Sequence, residues 1–496
     1  MPSKPNIVFI FSDQQRYDTL RCYGNDWIQV PNLNALADQS FVFERAYVTQ
    51  PVCTPARSSI VTGLYPHAAG PTVNKMGLPA DRKSIAEMAS EEYHTGWYGK
   101  WHLGDDVIRQ HGFDEWISTE DGHAPEYTKR EYRTQMSDWH QHLVANGFEP
   151  DIERPDGGGP MFSPMKRALL PAEFQMASFL GDRAAGFIDR NSDDPFVLHV
   201  STFEPHPPYH GPYDDLYDPE SLPVGPTFLQ VPEGASLHNT ARARYCTQYL
   251  GQPDADIDPY LLNNAARGHD LTTEAGWRRL RAQYFANITL VDNMVGTIVD
   301  ALERNGIADN TVVIFTSEHG EMAGDHGMLE KRSMYEESSR VPLIMKVPWL
   351  SKVQQIVPGA VSHIDLVPTM LDLLDNPVPS HLQGKSLVPV LRGEQTLDGN
   401  DAFIQWNGVS NIDDRNLGSE LINLRNTQPW RTVVGDGWKL ALCASDQCEL
   451  FDLVNDPYEQ TNLFNDPAQQ ERVRNMAARI RLWQHKNGDS APLPSI

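Results

Sequence analysis

Cys53, followed by Thr54, Pro55, Ala56 and Arg57, is the side chain in this 496-residue chain whose surroundings offer the most chemistry. Pro55 suits the first position of a helix, because its missing N–H is not needed there and its φ is already helical. Cys53 then stands just before a helix start, where backbone N–H groups and the macrodipole favour a bound anion, with Arg57 one turn inside. These residues point to a cysteine that handles an anionic substrate; the ordinary alternative for an isolated cysteine is a small buried hydrophobe. Lys100 and His102 alternate with Trp101, so on a strand both project to one face. Beside an anion pocket such a pair suggests charge stabilisation and proton transfer, and a solvated basic face is the alternative. His206, fixed between Pro205 and Pro207, has little backbone freedom and could donate a proton to a leaving group. Asp13 and Gln14 follow a strand-like run, at the end where open α/β sheets place their ligands.

These groups need elements to hold them. Asn6 to Phe11 is a continuous β-branched and aromatic run, which predicts a strand buried on both faces of a mostly parallel sheet. Phe41 to Val48, His94 to Gly99, Pro195 to Thr202 and Thr311 to Thr316 read as further strands. Helices are predicted after Pro31, over Ser84 to Glu92, over Glu173 to Arg190 and along the amphipathic stretch Leu271 to Asn305, which Gly306 closes. Gly112 to Pro171 lacks periodicity and reads as loops over the active-site face, where specificity tends to reside. Tyr209 to about Asp270, rich in Pro, Tyr and Asp, reads as a lid. Short strand candidates at Arg431 to Val434 and Trp438 to Leu442 mark a smaller C-terminal unit. The division expected is a catalytic α/β domain over residues 1–397 and a small sheet-and-helix subdomain over 398–496.

Composition narrows the classes. A net charge of −25 and 40% hydrophobic residues describe an acidic globular protein with a large core, and such a charge disfavours nucleic acid and anionic lipid while permitting a local cationic pocket. There is no run of 18 apolar residues and no signal-peptide core after Met1, so the expectation is a cytoplasmic chain without membrane attachment. Five cysteines, at 22, 53, 246, 443 and 448, show no disulfide framework. Oligomeric state is left open, an oligomer being compatible with the sequence.

The C-x-P-x-R pattern at Cys53, the short apolar helix and Thr62-Gly63-Leu64-Tyr65-Pro66-His67 after it closely resemble the signature of the formylglycine-dependent sulfatases of the alkaline-phosphatase-like superfamily. The loop of cysteine phosphatases needs five residues between Cys and Arg; three stand here. Gly99-Lys100-Trp101-His102-Leu103-Gly104, Pro205-His206-Pro207-Pro208, Ser317-Glu318-His319-Gly320, Val361 to Thr369, Gly384 to Leu387 and the block from Glu449 to Leu463 continue the resemblance in order along nearly the whole chain. It implies that Cys53 is oxidised to formylglycine by a formylglycine-generating enzyme, and that the hydrated aldehyde is the nucleophile. It also implies a divalent metal held by Asp13, Gln14, residue 53, Glu318 and His319, with Ca²⁺ favoured and Mg²⁺ or Mn²⁺ admissible. Two positions depart from the pattern: Gln14 stands where a second Asp is common, and Glu318 where Asp is usual, so a shifted metal site is expected.

By the same resemblance Arg57, Lys100 and Lys331 would balance charge on the sulfuryl oxygens, and Asn74 would contact the substrate's anionic group. His206, with Lys331, would protonate the leaving alcohol, and His102 would take the proton that releases sulfate. The reading is a sulfuric ester hydrolase acting on a small-molecule or glycan sulfate. A phosphonate monoester or phosphodiester hydrolase with the same nucleophile is the near alternative; such enzymes share the Asp-Gln pair and the Asn74 position but generally lack Lys100 and His102. A silent binding protein with a degraded metal site is the alternative from another class. Trp139, Trp406, Trp430, His123 and Tyr127 are candidates for a sugar or aryl platform.

Overall fold

The computed structural model describes residues 4–154, 157–250, 265–408 and 424–496. Its centre is a mixed, mostly parallel sheet. The strands are β1 (Asn6–Ser12), β2 (Phe41–Tyr47), β3 (His94–Gly99), β4 (Glu115–Ile117), β7 (Phe196–Ser201), β8 (Thr311–Ser317), β9 (Arg340–Val341), β10 (Leu343–Lys346) and β11 (Gln355–Ser362), while β5 (Ile152–Glu153) and β6 (Pro160–Met161) form a separate two-stranded ribbon. Their order is β11-β2-β10-β8-β1-β7-β3-β4, with β9 on β2; β10 runs against β2 and β8, and β9 against β2, while the remaining pairs are parallel.

Alternation along β1 splits the core. Val8 and Ile10 point into a layer with the helices Met176–Asn191 and Glu274–Arg304, whereas Ile7, Phe9 and Phe11 pack against the Cys53–Thr62 helix and the helix Leu366–Leu373. Both faces are covered by helices, which is why the strand carries apolar residues at successive positions. The Glu274–Arg304 helix is long and apolar enough to span a bilayer, but 67% of its most apolar window is buried against the sheet layer, as in a core helix. Thr273 caps it by accepting the Gly276 N–H.

The C-terminal unit is an antiparallel sheet of β12 (Ala402–Trp406), β13 (Trp430–Gly435), β14 (Trp438–Leu442) and β15 (Glu449–Asp452). The helix Gln470–Asn487 lays Val473, Met476, Ala477 and Ile480 on one of its faces.

Several local expectations are corrected. The helix at the cysteine begins at Cys53 itself, with Val52 as its N-cap, so Pro55 is its third residue. The Ser84 to Glu92 helix shrinks to one turn, Ile85–Met88, closed by a capping box between Ser84 and Glu87. The stretch from Gly112 to Pro171 is more than loops: β4 adds an edge to the main sheet, and Asp138–Ala145 is a helix. Of the stretch assigned to a lid, residues 251–264 lie outside the described residues, while Tyr217, Leu222, Phe228 and Tyr245 pack into the main core.

Candidate active site

Four neighbouring parallel strands, β8, β1, β7 and β3, end at one level, since Ser317 pairs with Ser12, Phe11 with Ser201, and Ser201 with Gly99. The residue beyond each end is therefore Glu318, Asp13, Thr202 or Lys100, side by side at the carboxyl edge where such sheets bind ligands. The Cys53–Thr62 helix points its first turn at the same edge, and the segment after β8 returns to bring Lys331 back beside it.

Asp13, Cys53, Glu318 and His319 are buried, and their donor atoms all lie within 4.8 Å of one another. His319 Nε2 is 3.1 Å from Glu318 Oε1, 3.7 Å from Asp13 Oδ1 and 3.4 Å from Cys53 Sγ. Its Nδ1–H donates to the Gly320 carbonyl at 3.0 Å; a metal-binding histidine is commonly held by its second nitrogen in this way. Asp13 Oδ1 is buried without a hydrogen-bond partner among the described residues, and the buried Glu318 oxygens face only charged or chargeable groups, Oε1 meeting His319 and Oε2 meeting Arg57. Burial pushes the Glu318 carboxyl up to about 8, against the pull of Arg57 and with the charge of Asp13 adding to it. Carboxylate oxygens crowded beside one imidazole and one sulfur fit a cation, because a cation satisfies the carboxylates together.

Cations of the chain close the rest of the site. Lys100 Nζ is 2.5 Å from Asp13 Oδ2, and Lys331 Nζ donates to Gln14 Oε1 at 2.7 Å and to Cys53 Sγ at 3.2 Å. Burial alone would raise the Cys53 thiol, but Lys331, aided by Lys100 and His319, outweighs it and holds the thiol well below its ordinary pKa. Burial likewise works against ionised Asp13, and Lys100 and His206 lower it nonetheless.

Arg57 is fully buried: it ion-pairs with Glu318, approaches Asp13 at 3.8 Å, and donates to the Lys100 carbonyl at 2.6 Å and to Ser201 Oγ at 2.8 Å. It thus supports the carboxylates and ties the helix to the ends of β3 and β7. Asn74 Oδ1 accepts the Thr54 N–H at 3.1 Å, in the first turn of the cysteine helix. His206 donates its Nδ1–H to the Pro207 carbonyl at 2.8 Å, and burial, then Lys331, keep its pKa well below the usual value. His102 is half-buried, and burial and His123 lower its pKa in the same way.

Lys100 and His102 do not share a strand face. β3 stops at Gly99, and His102 has φ 54°, so the strand alternation expected for them fails. Trp139, Trp406, Trp430 and Tyr127 are buried in the interior, which removes them as an exposed platform.

Two groups were missed. Glu321 Oε2 accepts from Gln14 Nε2 and, at 2.8 Å, from Tyr209 O–H; its Oε1 accepts the backbone N–H groups of Ala323 and Glu330, each at 2.7 Å. This buried carboxylate turns the Gln14 amide oxygen toward Lys331 and folds the Lys331 loop. Glu321 closes the Ser-Glu-His-Gly-Glu segment, yet only the fold brings Tyr209 and Gln14 to it. The second is Asp106, considered below.

An alkaline-phosphatase-like sheet carrying this edge defines the class of the protein, and the comparisons narrow it. The sulfatase family model matches residues 5–376, and the model of the N-sulphoglucosamine sulphohydrolase C-terminal region matches residues 324–486. The chain is 30% identical over 469 residues to the uncharacterized sulfatase YidJ of Escherichia coli, covering 92% of this chain and 82% of that one. A phosphonate monoester hydrolase from Silicibacter pomeroyi superposes with a TM-score of 0.77 at 25% identity, over 98% of this chain and 96% of the other. A structure solved in complex with its substrate D-glucosamine-2-N,6-O-disulfate superposes with a TM-score of 0.75 at 21% identity, over 99% of both chains. The chain belongs to the sulfatase family and is a sulfatase enzyme; that family generally uses a metal and a formylglycine.

Proposed function

We propose that this sulfatase hydrolyses an aryl or carbohydrate sulfate monoester through a formylglycine derived from Cys53, with a divalent cation, Ca²⁺ by preference. The observation that carries the reading is the Cys53 sulfur. It begins a buried helix, 3.2 Å from Lys331 Nζ and 3.4 Å from His319 Nε2, crowded by the buried carboxylate oxygens of Asp13 and Glu318. A formylglycine-generating enzyme acting on Cys-Thr-Pro-Ala-Arg would be its maturation partner.

Asp13, Glu318 and His319 would hold the ion with residue 53, and the Gln14 amide oxygen stands next to them. When bound, the ion would polarise the sulfate and the hydrated aldehyde would supply an oxygen nucleophile. The chain's own groups do the rest. Lys100 and Lys331 offer positive charge to the sulfuryl oxygens in a buried site, where it acts with little screening. Arg57 neutralises the carboxylates from behind. His206 Nε2 would deliver a proton to the leaving oxygen, and His102 would accept one at residue 53.

The likeness to the phosphonate monoester hydrolase supports a second reading, a phosphonate monoester or phosphodiester hydrolase. Lys100 against Asp13, and His102 beside Cys53, favour the sulfatase reading. Activity profiling of the matured enzyme against aryl sulfates, sulfated sugars, choline sulfate and phosphonate monoesters decides between them. Greatest kcat/KM on a sulfate ester is expected; a preference for phosphonates of several orders of magnitude would overturn the assignment. Peptide mass spectrometry checks the nucleophile: an unmodified thiol at position 53 in an enzyme turning over normally would refute it.

A further inference from the structure

The His102 ring lies flat against the ring of His123, with centroids 4.0 Å apart and planes 8° from parallel. His123 is itself held: its Nδ1 is 3.2 Å from Asp106 Oδ2. The other oxygen of that carboxylate, Oδ1, accepts the backbone N–H groups of Trp101 at 3.1 Å and His102 at 2.7 Å. Asp106 is 1% exposed. One buried carboxylate therefore fixes both the backbone that carries His102 and the ring that covers its face.

His102 needs such support. A histidine that must present one nitrogen to a reacting group is normally oriented by a hydrogen bond at the other. Here Nδ1 of His102 is buried and, among the described residues, has no hydrogen-bond partner. The ring nevertheless reaches Cys53. With no hydrogen bond at Nδ1 to hold the ring plane while it meets Cys53, the face-to-face stack with His123 is the contact that steadies it.

We propose that His123, anchored by Asp106, is a positioning residue that orients His102 for proton transfer at residue 53; this rests on the role given to His102 under the proposed function. His123 keeps 20% of its side chain exposed, so the competing role is a surface for the substrate. The stack argues for a role through His102, because one face of the ring is given over to it.

The test uses the matured, metal-loaded full chain and whichever ester the wild type turns over fastest. His123→Ala should lower kcat by about 10–100-fold, the scale of a misplaced catalytic group, with KM little changed. His123→Phe restores a flat ring and should recover most of that loss. Because His123 acts through His102, adding His123→Ala to His102→Ala should cause no further loss. Proton NMR gives a readout independent of turnover: the His102 ring resonances should move downfield in His123→Ala, as the stacked ring's shielding is lost, and stay near their original position in His123→Phe. A raised KM with unchanged kcat, a further loss in the double variant, or a His123→Phe enzyme as slow as His123→Ala would overturn the proposal. Should the wild type prove to cleave only phosphonate monoesters, the sulfate assignment fails, while the same rate ratios and NMR shifts still judge His123.

Discussion

The histidine assigned to the leaving group spends its Nδ1–H on the Pro207 carbonyl, 2.8 Å away, so proton transfer to substrate must run through Nε2. General acid catalysis is worth about 10²–10⁴-fold and matters most for a poor leaving group. His206→Ala should therefore slow alkyl or sugar sulfates far more than nitrophenyl sulfate, whose phenolate departs readily; an equal loss on both would reassign the acid to Lys331 or His102. The carboxylates make a second prediction. Asp13 and Glu318 crowd their buried carboxylate oxygens around one point, so a bound ion stabilises the folded chain as well as the reaction. Chelation should lower Tm and remove activity, and Ca²⁺ should restore both; an unchanged Tm in protein shown by elemental analysis to be metal-free would argue against the site. At this scale the sequence announced the side chains that lie in motifs: Cys53, Arg57, Lys100, His102, His206, His319. It did not announce Glu321, Tyr209 or Asp106, because a carboxylate or phenol acquires such a role only from partners the fold brings to it.

Strand ends, more than strands, make the site. Continuous apolar runs disclosed β1, β7 and β8 to within a residue or two, since a strand buried on both faces leaves no other pattern. What happens after each strand was less legible. Gly99 ends β3 with φ 108°, and a Cβ there would lie 1.9 Å from the Ser201 carbonyl oxygen, the same oxygen that accepts the Lys100 N–H at 3.0 Å. The close approach turns the chain out of the strand, and that exit broke the alternation expected for Lys100 and His102. Gly99→Ala should cost roughly 1–3 kcal/mol, as a non-glycine residue forced into such backbone does. Because the displaced carbonyl holds Lys100, kcat/KM should fall further than the lost stability explains; normal kcat/KM in the folded variant would show that Lys100 tolerates the shift. The segment from Glu318 to Lys331 follows the same logic. Arg16 and Arg281 clamp Asp325 at 2.6 and 3.0 Å, and Glu321 gathers the backbone of Ala323 and Glu330, so the loop returns Lys331 to the edge it left.

At the scale of the molecule, the small C-terminal sheet docks beside the strand that leads to the nucleophile. Gln405 in β12 donates its backbone N–H to the Thr49 carbonyl at 2.7 Å, just past β2. Family-like blocks made this unit visible in the sequence, but the contacts that seat it are single polar pairs between distant residues. Lys439 in β14 bridges Glu336 and Glu459, each at 2.8 Å. Arg431 in β13 grips Asp489, beyond the last helix, with Nε at 2.9 Å and Nη2 at 2.5 Å, and donates to the Trp406 carbonyl at 3.1 Å. Burial alone would raise the Asp489 carboxyl, yet the hydrogen bonds and charge of Arg431 hold it below the usual carboxylate value. Its contribution to stability is thus fully present above the unfolded value, about pH 4, and is lost as pH falls through the lower folded one. Asp489→Asn leaves the Arg431 charge buried without its carboxylate, which typically costs about 3–5 kcal/mol. The variant should melt below the wild type at pH 7, and the gap should narrow as both are acidified below pH 4, where the wild type's carboxylate takes up its proton. A gap that stays constant across that range would mean that the pair fills space there and contributes no charge-dependent stability.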